Sequence, residues 1–124
     1  MNSKEFEAVI KLTVNKRYQY FIKKVADYEE VWGLYNDGWA TTQDENGTVL
    51  IPFWPKKEFA EFCATGDWRD YIPEKIELEE FIDDWIPEMK VDGNKAAIFW
   101  NNNESSLPEL DALLKDLELE LENY

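Results

Sequence analysis

Between Val31 and Cys63 the chain reads VWGLYNDGWATTQDENGTVLIPFWPKKEFAEFC, and no other segment restricts the accessible folds as much. Three runs rich in β-favouring residues, Val31–Tyr35, Trp39–Thr42 and Val49–Ile51, are separated by Asn36-Asp37-Gly38 and Asp44-Glu45-Asn46-Gly47. Asn, Asp and Gly tolerate positive φ, so these separators read as tight turns and the whole as a three-stranded antiparallel meander. Gly33, inside the first run, predicts a bulge or the close approach of another backbone. Val49-Leu50-Ile51 is apolar at every position, as expected of an interior strand covered on both faces. Pro52, lacking an N–H, is expected to end that strand's ladder. Pro55 then suits the first position of a helix over Lys56–Ala64, with Phe59, Phe62 and Cys63 on one face.

The flanking segments are helical by their period. Asn2 and Glu5 have the spacing of a capping box, and Phe6, Val9 and Ile10 give a short apolar face to a helix over Asn2–Leu12. A second helix from about Asn15, which can cap it, carries Tyr18, Phe21, Ile22 and Val25 as one stripe, with Lys16, Arg17, Lys23 and Lys24 off it. Trp68–Pro73 reads as irregular or a short strand. Leu78, Phe81, Ile82 and Trp85 form another stripe, on a helix that should stop or kink near Pro87. Asp92-Gly93 turns the chain into an apolar strand, Ala96–Trp100, whose alanines allow a helix to approach closely. After a polar loop, Ser106 is placed to cap a last helix opened by Leu107 or Pro108, with Leu110, Leu113, Leu114, Leu117 and Leu121 as its seam. This order predicts an α+β fold: a small antiparallel-to-mixed sheet, built from the meander plus one or two later strands, packed with four to five helices. With 124 residues, one domain over residues 1–124 is expected.

Several of these elements carry a resemblance. Arg17-Tyr18…Tyr20-Phe21, Val31-Trp32-Gly33-Leu34, Gly38-Trp39-Ala40 and Pro52-Phe53-Trp54-Pro55 followed by Lys57-Glu58…Ala60 resemble a bacterial family of unknown function, number 2750 among domains of unknown function. The resemblance extends over most of the chain. It implies a small single-domain bacterial protein with no established activity, and it brings no catalytic residues.

Chemistry is restricted further by what the chain lacks. It has no histidine and one cysteine, Cys63. Ser-His-Asp and Cys-His devices, an intrachain disulfide and zinc sites built from His and Cys are therefore excluded. Cys63 beside Phe59 reads as a small core residue. The Asp44–Gly47 segment supplies only the first two ligands of a calcium loop and reads as a hairpin turn. The adjacent carboxylates Glu79-Glu80 and Asp83-Asp84 point about 100° apart on a helix and read as a solvated face. No cofactor and no metal site are expected, and the chain reads as a non-enzyme.

The formal net charge is −14. It repels nucleic-acid phosphates and anionic membrane surfaces and favours a basic protein partner. Residues 1–26 carry six basic and two acidic side chains, the remainder seven and twenty-five, so the basic first segment is expected to pack near acidic ones. Neither a membrane span nor a signal peptide is evident, and a cytoplasmic setting is the expectation. The candidate binding residues are aromatic: Trp32, Tyr35, Trp39 and Trp54 as outward-facing rings, with Trp68 and Trp100 also competing for space around one core. The leading expectation is a protein-binding module, an inhibitor or regulator of a basic partner. The alternative is a small-molecule binder or minor enzyme with an aromatic-lined pocket, and a homodimer through the leucine seam is a further candidate.

Overall fold

The computed structural model describes residues 1–124. Helix α1 (Ser3–Ile10) begins as the capping spacing requires, with the Glu5 N–H donating to Asn2 Oδ1 at 2.8 Å. Helix α2 (Val14–Tyr28) is capped by Thr13, not by Asn15, which lies inside the first turn. Strand β1 (Glu30–Tyr35) follows, then β2 (Thr42–Gln43), β3 (Val49–Phe53) and helix α3 (Lys57–Cys63). A single 3₁₀ turn, Gly66–Trp68, leads to β4 (Ile72–Glu77). A helical run comes next: one turn of α4 (Leu78–Glu80), a π-helical segment (Phe81–Trp85) and α5 (Ile86–Asp92). Strand β5 (Lys95–Ile98) and helix α6 (Leu110–Leu121) complete the chain. No helix is long and apolar enough to cross a membrane.

The fold is α+β with a small mixed set of strands, as the sequence implies, but the meander is interrupted. Strand β1 pairs antiparallel with β4 from Glu30↔Glu77 to Tyr35↔Ile72. Its expected partner, the Trp39–Thr42 return, meets it only at the bridge Tyr35↔Trp39. A second sheet has the order β2-β3-β5, with β2-β3 antiparallel and β3-β5 parallel. The two sheets are joined where Trp32 and Trp54 exchange both backbone hydrogen bonds, at 2.9 and 2.8 Å.

Pro52 does not end its strand. Strand β3 continues through it, pairing Pro52↔Ala97 and Phe53↔Ile98, and Phe53 accepts from the Phe99 N–H at 2.9 Å. Residues alternate in the edge they address, so Pro52 faces away from β5, toward a gap between the end of β2 and the Trp32–Trp54 bridge. No ladder bond is lost there. Gly33 is a close-approach site, but the neighbour is a ring: a Cβ there would lie 2.9 Å from Trp39 Cζ3.

Pro87 neither stops nor sharply breaks its helix. Proline removes the N–H that would bond back to residue 83, and the wider π turn lies just before it, with the Ile86 N–H reaching Phe81. The helix ends at Gly93, whose φ of 74° forms the left-handed cap. Ser106 does not cap α6. Its backbone N–H and C=O are both used by Ile98, at 3.0 and 2.8 Å, and helix α6 opens after Glu109 instead.

The strands of the second sheet present two faces. Phe53, Ala96 and Ile98 point inward to the core, where Phe53 meets Phe81 and Trp85 edge-on with ring centroids 4.9 and 5.6 Å apart. Leu50, Pro52 and Ala97 point outward. That face is roofed in part by the C-terminal end of α3, at Cys63, and by the segments that carry Trp68 and Trp100.

Candidate binding cleft

The four aromatic residues singled out from the sequence do not share a surface. Trp54 is fully buried, and its indole N–H donates to the Trp100 carbonyl at 2.9 Å. It is a core residue: its ring packs edge-on against Trp68 with centroids 6.3 Å apart, and its one polar group finds a backbone acceptor. Tyr35 and Trp39 do meet, with centroids 5.1 Å apart, and Trp39 passes the contact to Trp85 at 4.9 Å. These half-buried rings form an edge-to-face series running down to Phe53, which is packing more than display. Trp32 lies apart from them, lining a shallow hollow with Tyr28, Lys56 and Lys57.

The outer face of the second sheet holds a cleft of about 300 Å³. Leu50, Pro52 and Ala97 form its floor, and Trp68 and Trp100 supply rings. Thr41, Thr42, Thr65, Asp67 and Asn102 give the polar groups, and Cys63 lies at the lining. Each wall has a local cause. Asp67 and Trp68 belong to the 3₁₀ turn after α3, where Gly66 takes φ 58°. Trp100 and Asn102 belong to a strap after β5, residues 99–105, closed by the Ile98↔Ser106 bridge. Within the strap the Asn101 side chain accepts from the Asn103 and Glu104 N–H groups and donates to Ile10 O at 3.0 Å.

The strap is held from the helical side by Arg17, which sequence spacing assigns to the solvated face of α2. Its side chain is buried. Nε donates to Phe99 O at 3.1 Å, Nη2 to Glu104 O at 2.9 Å and Nη1 to Leu12 O, while the guanidinium carbon lies 5.8 Å from the centre of the Phe99 ring. Three carbonyls, not a carboxylate, satisfy this cation. Burial lowers its pKa from the usual guanidinium range, opposed by the field of Glu104. Phe99 adopts φ 57°, a left-handed conformation costly for a residue with a side chain, and the Arg17 bond to its carbonyl helps hold it there.

Cys63 is buried, and its thiol donates to Trp100 O at 3.1 Å. Burial pushes its pKa up to about 12, so it is a neutral thiol and contributes no nucleophile to the cleft. Phe62, expected beside it in the core, is exposed and instead meets Phe6 edge-on at 5.4 Å. Asp44 is engaged by its own turn, its Oδ1 accepting from the Asn46 and Thr48 N–H groups at 2.9 and 3.0 Å. No three His, Cys, Asp or Glu side chains converge as a metal-binding group.

Trp68 and Trp100 were visible in the sequence, but nothing local distinguishes them from the other tryptophans. The usable signal was Ala97. A small residue within the apolar run Ala96–Trp100 leaves room on one face of the sheet, and a ring following it can roof that room.

Residues 18–117 match the family described as a protein of unknown function, DUF2750, and the chain belongs to it. No curated protein matches the chain.

Proposed function

We propose that this member of DUF2750 is a non-enzymatic binding module that engages a basic protein through its acidic surface, as an inhibitor or regulator of that partner. The observation that carries the reading is the ridge along residues 70–84. Asp70, Glu74, Glu77, Glu79, Glu80, Asp83 and Asp84 are all exposed there, and Lys75 is the one basic residue among them. Lys75 lies 3.1 Å from Glu77 and 3.7 Å from Glu30, and the other ridge carboxylates form no ion pair. Glu77, Glu79, Glu80, Asp83 and Asp84 surround one open hollow. The π-helical turn over Phe81–Trp85 is wider, with i→i+5 bonding, and Asp83 and Asp84 lie on it beside the acids of the preceding turn.

Uncompensated charges of one sign raise the energy of the free protein and steer a basic partner toward it. The chain's first segment does not relieve them, because Lys4, Lys11, Lys16, Lys23 and Lys24 form no ion pair with the acidic elements. Since the rings are mostly packed inward, attraction in this reading comes from charge more than from aromatic anchors, and binding should weaken steeply with salt. The test is capture from a lysate at low salt, comparing the wild type with a variant carrying Glu79→Gln, Glu80→Gln, Asp83→Asn and Asp84→Asn. A basic protein retained by the wild type, released by salt and lost by the variant is the expected result. Equal retention by both proteins, or none by either, overturns it.

A second reading, a small-molecule binder, is favoured by the cleft, whose volume of about 300 Å³ is at the small end for ligand pockets. Saturable quenching of tryptophan fluorescence by a metabolite, absent from a variant with the cleft filled, would select it.

A further inference from the structure

The hollows of this protein differ in the charge they present. The groove between α2 and α6 holds Tyr18, whose hydroxyl is already committed to Asp116 at 2.6 Å. The hollow at Trp32 contains Lys56 and Lys57 with Glu30 and Glu58, and the one beside Pro108 contains Lys90 and Lys95 with Glu109 and Asp111. The cleft on the outer sheet face combines two indoles with one carboxylate, Asp67, and no cation. Asp67 forms no ion pair, and no hydrogen bond within the protein uses its carboxylate. The Cys63 thiol is committed to Trp100 O and adds no charge. The indole N–H groups of Trp68 and Trp100 form no hydrogen bond within the protein, yet neither is sealed from water: Tyr20 Oη is the one buried polar side-chain atom without a partner.

We propose that this cleft binds a singly charged organic cation of the alkylammonium or guanidinium kind, with its methylene stem on Leu50, Pro52 and Ala97 and its charge held by Trp68, Trp100 and Asp67. Such an occupant uses the apolar floor, the two rings and the one carboxylate of the lining. The floor is apolar and suits a stem of methylenes. The electron-rich faces of indoles attract cations, and Asp67 supplies the counter-charge. An anion meets Asp67 and a net charge of −14, and a neutral ligand gains nothing from Asp67. The chemistry has two sources: a lysine or arginine side chain presented by a basic partner, or a free amine. Only the first rests on the acidic-recognition reading above.

The test is a titration of the protein labelled with ¹⁵N at its tryptophan indoles. The probes are butylammonium, ethylguanidinium, the neutral analogue butanol and an end-blocked lysine peptide. Butylammonium should shift the Trp68 and Trp100 signals saturably and bind about tenfold more tightly than butanol. Asp67→Asn should bring butylammonium down to the butanol level, with an unchanged circular dichroism spectrum. A lysine peptide that binds more tightly than butylammonium identifies a partner side chain as the source; the reverse order identifies a free amine. Equal binding of butanol and butylammonium, no effect of Asp67→Asn, shifts confined to other tryptophans or no saturable shift at all overturns the proposal. The four-residue ridge variant separates the two ideas. It should keep butylammonium binding while losing the partner, whereas a failed capture with butylammonium binding intact removes the partner reading and leaves the cleft.

Discussion

The two faces of the β2-β3-β5 sheet are built from alternate residues of the same strands, yet they have opposite fates. Inward, Phe53, Ala96 and Ile98 are locked among Phe81, Trp85 and the helices. Outward, Leu50, Pro52 and Ala97 meet a turn and a strap that leave space between them. The difference lies in what covers each face. Helices close on rings at native packing density, whereas short irregular segments cover only as far as their few side chains reach. In one small sheet, the ring packing is therefore concentrated on one side, and the other side keeps a cleft.

Five substitutions, one of them read in a pH titration, probe this molecule, the first four of them this asymmetry. Phe53→Ala on the inward face should have the largest effect, a loss of ~3–5 kcal/mol in denaturant unfolding, because a buried ring leaves a cavity among other rings. Arg17→Met comes next, at about 3 kcal/mol, since the carbonyls of Leu12, Phe99 and Glu104 lose their donor together. Amide exchange should then accelerate across residues 99–106 before other regions, which would show that the outer roof is held from the inner side. Neighbouring alanines give the sharpest contrast. Ala96→Val inserts methyl groups into a filled core and should cost ~1–3 kcal/mol. Ala97→Val points the same methyls into the cleft and should change stability by less than ~1 kcal/mol while abolishing alkylammonium binding. Equal costs at the two alanines would erase the distinction between the faces.

A separate effect is on pH. Burial raises the Cys63 thiol from 9.0 to about 12, so the folded state holds its proton more tightly than the unfolded chain does. The corresponding stability is present in full below pH 9 and is lost as pH rises toward 12. Melting temperature should fall across that alkaline window in wild type, and less so in Cys63→Ala. At neutral pH the thiol should react with thiol reagents only on unfolding.

Local patterns made some of this legible. The stripe on α2, the Asn2 cap, the Asp44 turn and the leucine seam all follow from spacing along a single element. What depends on a distant partner was hidden. The pairing of β1 with β4 rather than with the return strand is a choice among edges that short-range text does not encode. Pro52 has the sequence signature of a strand end, but a missing N–H matters only if a neighbour asks for it, and no neighbour does. Arg17 is four residues before Phe21 and eight before Val25, on the buried side of α2, but a charged residue on that face is credible only once three carbonyls are known to await it. The same reason concealed the cleft. Which tryptophan roofs which face depends on two loops whose courses are fixed by contacts across the chain, Trp54 with Trp100 and Asn102 with Phe62.

The Arg17 clamp also says something about the time course of folding. Its acceptors include Phe99 and Glu104, and strand β3 waits for β5, so the decisive contacts join residues separated by much of the chain. Such non-local closure slows the search for the native state. A nascent chain emerging from the ribosome can form α1, α2 and the β2-β3 hairpin early, but its guanidinium has no complete set of acceptors until residue 104 is free. The last third of the chain should therefore control the moment at which the whole becomes cooperative and protease-resistant.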